Sequence, residues 1–442
     1  MLEKFFHLSE KHTDVKTEVI AGLTTFLAMA YILAVNPVML ANAGMDSQSV
    51  FTATALATGI TTIIMGVLAK WPAALSAGMG LNALFVYTVV LTFGYSYQAA
   101  LAAVFIEGVL FLVICLSGLQ EKVVNAIPNQ LKAAIGAGIG FFIAFIGLQN
   151  SGIVVANAST IVGLGDLKNP VVLLAILGIM ITLILLMLKV KAAVFIGMVI
   201  TACLGLVFRV TGLGAEGLPN FTSTIFSSSL KMNDFGACFS GFGELFSKPQ
   251  WFLVIFSMLF VDFFDTAGTL MALANRCGRL HKDGSVEGGK KAMLTDSIGT
   301  IIGSTFGTST ITCFVESSSG IEAGGRTGLT AIVTGLLFIL SMFFYPVVGS
   351  LVTSAVTAPA LVVVGILMAA QLSDVDWKQN MIFCASGFVC IISMILTYSI
   401  SDGMALGFIV YTVAMVGAKK AKEVNIAIWI LDIIFIVFFA LR

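Results

Sequence analysis

The chain has 442 residues, 58% of them hydrophobic and only 10% charged, with 44 glycines and 35 phenylalanines. A soluble domain of that length does not run on so little charge, so the composition is that of a polytopic membrane protein. The 23 basic and 23 acidic side chains cancel, which gives no reason to expect a nucleic-acid or strongly acidic partner.

The first 19 residues, MLEKFFHLSEKHTDVKTEV, carry charges of both signs and lack the basic tip and apolar core of a secretory signal, so the first span is expected to direct insertion. A helix needs about 20 apolar residues to cross the roughly 30 Å hydrocarbon layer. Segments that meet this are expected at 15–41, 49–69, 72–88, 98–118, 130–150, 170–188 and 191–212. A long polar connection, 213–250, follows. The second set is 251–275, 292–305, 306–322, 327–345, 351–372, 380–399 and 401–418, with an apolar tail at 424–441 left over. That is an all-α membrane fold of fourteen spans, seven plus seven.

Cytoplasmic loops collect Lys and Arg. With the N-terminus inside, all but five of the 23 basic residues fall on the cytoplasmic side, leaving Lys168, Arg209, Lys231, Lys248 and Arg442 outside. An odd number of spans per half inserts the halves in opposite orientation, the arrangement of inverted repeats. Internal echoes agree: MLANAGM at 39–45 against LMALANRCG at 270–278.

The third span of each half is irregular: WPAALSAGMGLNALFVY in one, GTSTITCFVESSSGIEAGG in the other. Both are rich in glycine and small polar residues, so each is expected to begin extended and become a short helix near the membrane centre. Non-helical backbone at that depth survives only where it is buried in protein or lines a cavity. Two half-helices starting there would aim free N–H groups and positive dipole ends at one place, suited to a flat heteroaromatic with donors and acceptors on its rim.

Asp262, Asp265 and Glu316 lie deep in these apolar segments. A charge at the bilayer centre costs roughly 2.5–3.5 kcal/mol, which makes each a functional candidate. Asp262 and Asp265 are three apart and share a helix face. Two adjacent carboxylates in low dielectric resist ionising together, so one is available as a proton carrier. Glu316 stands where the second irregular segment turns helical, and Asn82 occupies the matching place in the first, offering both a donor and an acceptor. The bland reading makes these acids local backbone acceptors and Asn82 interhelical glue. Glu107 reads as a lone buried acid that either bonds a neighbouring span or carries a proton, and Asp296 as a helix cap near a basic loop. The three histidines, His7, His12 and His281, fall outside the spans, so proton coupling would run through carboxylates. The seven cysteines fit no zinc or CxxC spacing, and no metal or cofactor is expected. GAGIG at 136–140 follows no strand and reads as helix packing rather than dinucleotide binding. No hydrolase, metalloprotease or P-loop motif occurs, which argues against an enzyme.

Together VDFFDTAGTL, GTSTITCFVESSSGIEAGGRTGLTA and SAGMGLNA resemble the AzgA-like purine nucleobase permeases of the nucleobase-ascorbate transporter superfamily, over nearly the whole chain. The resemblance implies proton-coupled import of hypoxanthine, guanine or adenine by a core domain and a gate domain. It places the core in 1–129 and 251–345, the gate in 130–212 and 346–423, an extracytoplasmic loop at 213–250 and an extra apolar segment at 424–442. It also implies substrate contacts at Asn82, Gly80, Asp262, Asp265 and Glu316, in a bacterial inner membrane. Open alternatives are a uracil or xanthine transporter of the same fold, or a channel. A homodimer is left open, as is the side on which the C-terminus lies.

Overall fold

The computed structural model describes residues 2–119, 127–213, 215–281 and 286–441. Lys122, Lys282 and Arg442, counted in the orientation argument, lie outside the described residues. After a short N-terminal helix, α1 (Leu2–Phe6), the first predicted span is α2 (Val15–Met29) and α3 (Ile32–Ala41), interrupted at Ala30 and Tyr31. Then come α4 (Ser47–Ile64) with a π-helical extension Met65–Ala69, strand β1 (Leu75–Ala77), α5 (Met79–Ala83) running into a π-helical turn, α6 (Tyr97–Ser117) and α7 (Asn129–Asn150). A hairpin, β2 (Val154–Asn157) and β3 (Ile161–Leu164), precedes α8 (Pro170–Met187) and α9 (Ala193–Val210).

Short helices α10 (Ala237–Ser240) and α11 (Phe242–Ser247) lead into α12 (Trp251–Cys277), α13 (Gly289–Phe306), strand β4 (Ile311–Cys313) and α14 (Ser317–Glu322). The remainder is α15 (Gly328–Ser341), α16 (Tyr345–Leu351), α17 (Ser354–Ala369), α18 (Met381–Leu396), α19 (Ile400–Gly417) and α20 (Ile426–Leu441). Among the described residues, ten helices are long and apolar enough to cross a membrane. The predicted spans at 72–88 and 306–322 are strand followed by short helix, and α13 is not among the ten because polar residues dilute its hydropathy. The hairpin is a feature that the all-α expectation does not contain. The tail at 424–441 is helical, and Phe435 packs against Phe256 of α12 and Phe408 of α19.

Helix starts follow local chemistry. Asp14 and Asp46 accept from the N–H groups of Thr17 (2.7 Å) and Ser49 (2.8 Å), capping α2 and α4. Glu18, fully buried, reaches across the fold. Its carboxylate accepts from the N–H groups of Arg326 (2.8 Å), Thr327 (3.2 Å) and Thr330 (3.1 Å) and from the Thr330 hydroxyl (2.6 Å), so α2 supplies the cap of α15. Glutamate 18 thereby ties the start of the first span to the start of α15.

Small residues set the distances between helices. A Cβ on Gly328 would lie 1.9 Å from the Gly66 carbonyl oxygen, and one on Gly66 2.4 Å from that of Gly328. The same reciprocal approach joins Gly59 to Gly335 along α4 and α15, and Gly140 to Gly365 between α7 and α17. In a membrane, where apolar side chains gain little by leaving lipid, such close backbone packing carries much of the association. Gly328→Ala is expected to cost about 1–3 kcal/mol through overpacking. The check is the melting temperature of detergent-purified protein, with Gly243→Ala as a control because nothing lies within 4 Å of its position.

Candidate functional site

The centre of the site is the junction of the two irregular spans. Strands β1 and β4 pair antiparallel, Leu75 with Cys313, Ser76 with Thr312 and Ala77 with Ile311, and all six residues are buried. The pairing extends at both ends, where the Gly78 N–H donates to the Thr310 carbonyl (3.1 Å) and the Phe314 N–H to the Ala74 carbonyl (3.0 Å). The strand side chains are held by hydroxyls: Ser76 bonds Thr58 (2.7 Å) and Thr312 bonds Thr266 of α12 (2.8 Å). A buried backbone group left unpaired costs about as much as a lost hydrogen bond, so each strand needs the other.

Glu316 sits just before α14 and is partly buried, and its Oε1 accepts from the Tyr31 hydroxyl at 2.5 Å. Tyr31 comes from the break in the first span and is fully buried. Val315, beside Glu316, is 46% exposed although its neighbours in β4 are buried, so the chain comes to the protein surface at this point. Asp265 on α12 is also half-buried, faces Glu316 and has the Thr312 side chain within reach. Asp262, one turn earlier, is fully buried. Its Oδ2 accepts from Thr300 (3.3 Å), and its carboxyl lies beside that of Glu107.

Asn82 is fully buried and occupied at both ends: its amide donates to Asn36 Oδ1 (2.7 Å), and its oxygen accepts from the Ser309 hydroxyl. Asn36 in turn donates to Thr54 (2.7 Å) and Thr308 (2.8 Å). Asn82 therefore belongs to a polar network that stitches spans together under the strand pair. Gly80 allows close approach of α5 to α7, since a Cβ there would lie 2.7 Å from Ile139 Cγ2.

One expectation is corrected. Asp296 is not a helix cap: α13 begins at Gly289 without a side-chain cap, and Asp296 lies two turns in, fully buried. Glu107 bonds a neighbouring broken span, one of the two readings open for it, because the Thr310 hydroxyl donates to its Oε2 (3.3 Å), and Asp262 is also its neighbour. Among the described residues no ion pair involves Glu107, Asp262, Asp265, Asp296 or Glu316. The side chains that sequence reading missed are Tyr31 and Asn36. The Asn36-Pro37 pair was a usable signal, since an amide beside a proline in an apolar span is costly for the same reason as a buried acid.

Among the described residues, ten apolar helices around a buried strand pair are the arrangement of a polytopic membrane protein with broken spans, a form that transporters use. The model of the permease family Xan_ur_permease matches residues 16–406. The chain is 47% identical to the guanine/hypoxanthine permease PbuG of Bacillus subtilis, over 99% of each protein. It is 38% identical to the adenine permease AdeP of Escherichia coli, over 99% of this chain and 95% of that one. It is 33% identical to the nucleobase transporter PlAzg2 of Paenibacillus larvae, over 90% of this chain and 77% of that one. The transmembrane domain of the cyanobacterial bicarbonate transporter BicA shares the fold at a TM-score of 0.63 and 13% identity, covering 88% of this chain and 96% of that domain. SLC26A9 matches at 0.61, with 13% identity, over 92% of this chain and 67% of that one. The chain belongs to the Xan_ur_permease family; it is a multi-pass membrane permease, not an enzyme, and is similar to AzgA-like members of the nucleobase-ascorbate transporter superfamily.

Tyr31→Phe deletes the only hydroxyl bonded to Glu316 among the described contacts. It is expected to cost about 1–3 kcal/mol, the penalty for leaving a buried acceptor unpaired. Differential scanning fluorimetry of the purified protein checks this, and an unchanged melting temperature would show that the bond contributes nothing.

Proposed function

We propose that the chain is a proton-coupled symporter that imports purine nucleobases, hypoxanthine, guanine or adenine, by alternating access across the bacterial inner membrane with its N-terminus in the cytoplasm. The observation that carries this reading is the meeting of Asp265, Glu316 and the exposed Val315 at the end of the β1–β4 pair, in a chain whose relatives are named guanine/hypoxanthine and adenine permeases. A purine is flat, neutral and rimmed with ring N–H groups. Glu316 has one oxygen held by Tyr31 and the other left to accept from such a group, and Asp265 presents a second acceptor on the open side. Of the two aspartates, Asp265 is the substrate contact in this reading and Asp262 the buried partner. Asn82 and Gly80 act by shaping the break.

The fold reading is fourteen spans as two inverted repeats of seven, and the packing supports it. Alpha-helix α4 packs on α15 and α13 on α6; α8 packs on α17 and α18 on α7; α7 meets α17, and β1 meets β4. Counted as spans, advancing both members of any of these pairs by seven gives another pair of the same set. The core domain is then 1–129 with 251–345 and the gate 130–212 with 346–423, the gate moving against the core around a fixed site. Proton and purine travel together if each binds more tightly when the other is present in one facing state.

The test is uptake by a bacterial strain without its own purine permeases. Hypoxanthine, guanine and adenine are expected to accumulate and to be released when a protonophore collapses the gradient, with xanthine and uracil poor competitors. Equal uptake of uracil would overturn the purine reading, and accumulation untouched by the protonophore would overturn the coupling. Asp265→Asn is expected to abolish accumulation. Glu316→Gln is expected to weaken binding by about 1.5–3 kcal/mol, the loss of a charged hydrogen bond; unchanged affinity would remove Glu316 from the site.

A further inference from the structure

Close to the β1–β4 pair lie three acids that the substrate site does not use in full: Glu107 from α6, Asp262 from α12 and Asp296 from α13, each fully buried. Their hydrogen bonds can be counted oxygen by oxygen. Glu107 Oε2 takes the Thr310 hydroxyl, and Asp262 Oδ2 shares the single Thr300 proton, at 3.3 Å, with the Ile311 carbonyl at 3.0 Å. Glu107 Oε1, Asp262 Oδ1 and both oxygens of Asp296 make no hydrogen bond of ordinary distance and angle, although the Thr266 side chain and the Cys313 N–H face Asp296 and the Thr312 side chain faces Asp262. Glu107 and Asp262 are neighbours, as are Asp262 and Asp296. The other titratable groups facing them are Asp265, Cys115 and Cys313, which bring no positive charge. Lys290, near Cys115, makes no ion pair with any of the three.

A carboxylate has only acceptors, so two facing carboxylates cannot satisfy each other. A single hydrogen between them gives a donor to one and an acceptor to the other. Burying such groups without a partner is costly, and a bound proton removes both the charge and the missing donor. We propose that Glu107, Asp262 and Asp296 form a proton-binding site distinct from the base-binding face, with one proton shared between Glu107 and Asp262 and a second held on Asp296. This rests on the proton-symport reading above and deepens it. The link to the substrate site is α12, which carries Asp262 and, one turn on, Asp265. Thr310 and Thr312, flanking Ile311 in and beside β4, reach Glu107 and Asp265 respectively. A proton leaving the cluster changes the hydrogen-bond demands on the same strand that supports the substrate site. No bond other than O–H is made or broken, and the proton enters from and returns to water.

The experiment uses the full protein in liposomes, with Glu107→Gln and Asp296→Asn as variants whose amides mimic the protonated acids. The first readout is the infrared C=O stretch of neutral carboxyl groups in wild-type protein near neutral pH. The band is expected to be present and to lose intensity in each variant. The second is transport: purine exchange without a gradient should persist in the variants, while accumulation driven by a pH gradient falls about tenfold or more. No neutral-carboxyl band in the wild type, a band untouched by both substitutions, or gradient-driven accumulation at the wild-type level in both would overturn the proposal. A wild type that neither exchanges nor accumulates purine would instead overturn the substrate reading, and the infrared result would still decide the proton site. Should an amide variant fail to fold, Glu107→Asp takes its place; it should keep the band and shift its frequency.

Discussion

The constraint on which the structure depends is that every backbone polar group at membrane depth needs a partner inside the protein. Two of the chain's spans give up helix, over 70–78 and 307–316, and the antiparallel register of Leu75–Ala77 against Ile311–Cys313 pairs the backbone at the middle of each break. The surrounding chemistry follows from this pairing. Thr62 both donates to the Leu75 carbonyl and accepts from its N–H (3.1 Å each), Ser317 accepts from the Ala74 N–H (3.0 Å), and Thr300 donates to the Ile311 carbonyl (3.0 Å). Thr62 of α4, Thr300 of α13 and Ser317 of α14 are thus partners of the break. Because the two strands come from opposite halves of the chain, the same bonds that satisfy the backbone also hold the halves together.

A second regularity is that the deep acids are answered by hydroxyls and not by bases. Tyr31 serves Glu316, Thr300 serves Asp262 and Thr310 serves Glu107. A hydroxyl can donate to a carboxylate or accept from a carboxylic acid, so it serves either protonation state. An arginine or lysine would hold the acid permanently charged and make a proton cycle costly. Outside the apolar spans the chain does use permanent charge: Glu244 on α11 pairs with Lys248 and accepts from Ser96, whose side chain and N–H hold the Glu244 carboxyl below its ordinary range.

Much of this was legible in the sequence for one physical reason: in lipid, local sequence bears the full cost of polarity. The spans at 15–41, 98–118, 130–150 and 251–275 reappear within a few residues as helices because a run of apolar side chains has no competing use. The irregular spans were visible because glycine, serine and threonine at such a depth contradict a helix, and Asp262, Asp265 and Glu316 stood out by the same cost. Charge alone misjudged Asp296, since proximity in sequence to Lys290 and Lys291 suggested a surface cap, whereas helical rotation carries it inward.

What the amino-acid order determined by itself was therefore which segments enter the membrane, which of them break, and which acids are too expensive to be idle, all of which depend on nearest neighbours and solvent. Which partners those groups meet was decided by tertiary structure. Tyr31 reaches Glu316 across 285 positions of chain and Ser309 reaches Asn82 across 227. Contacts of that kind arise from the crossing of helices at glycine-lined backbones, a property of packing that no local window of sequence contains.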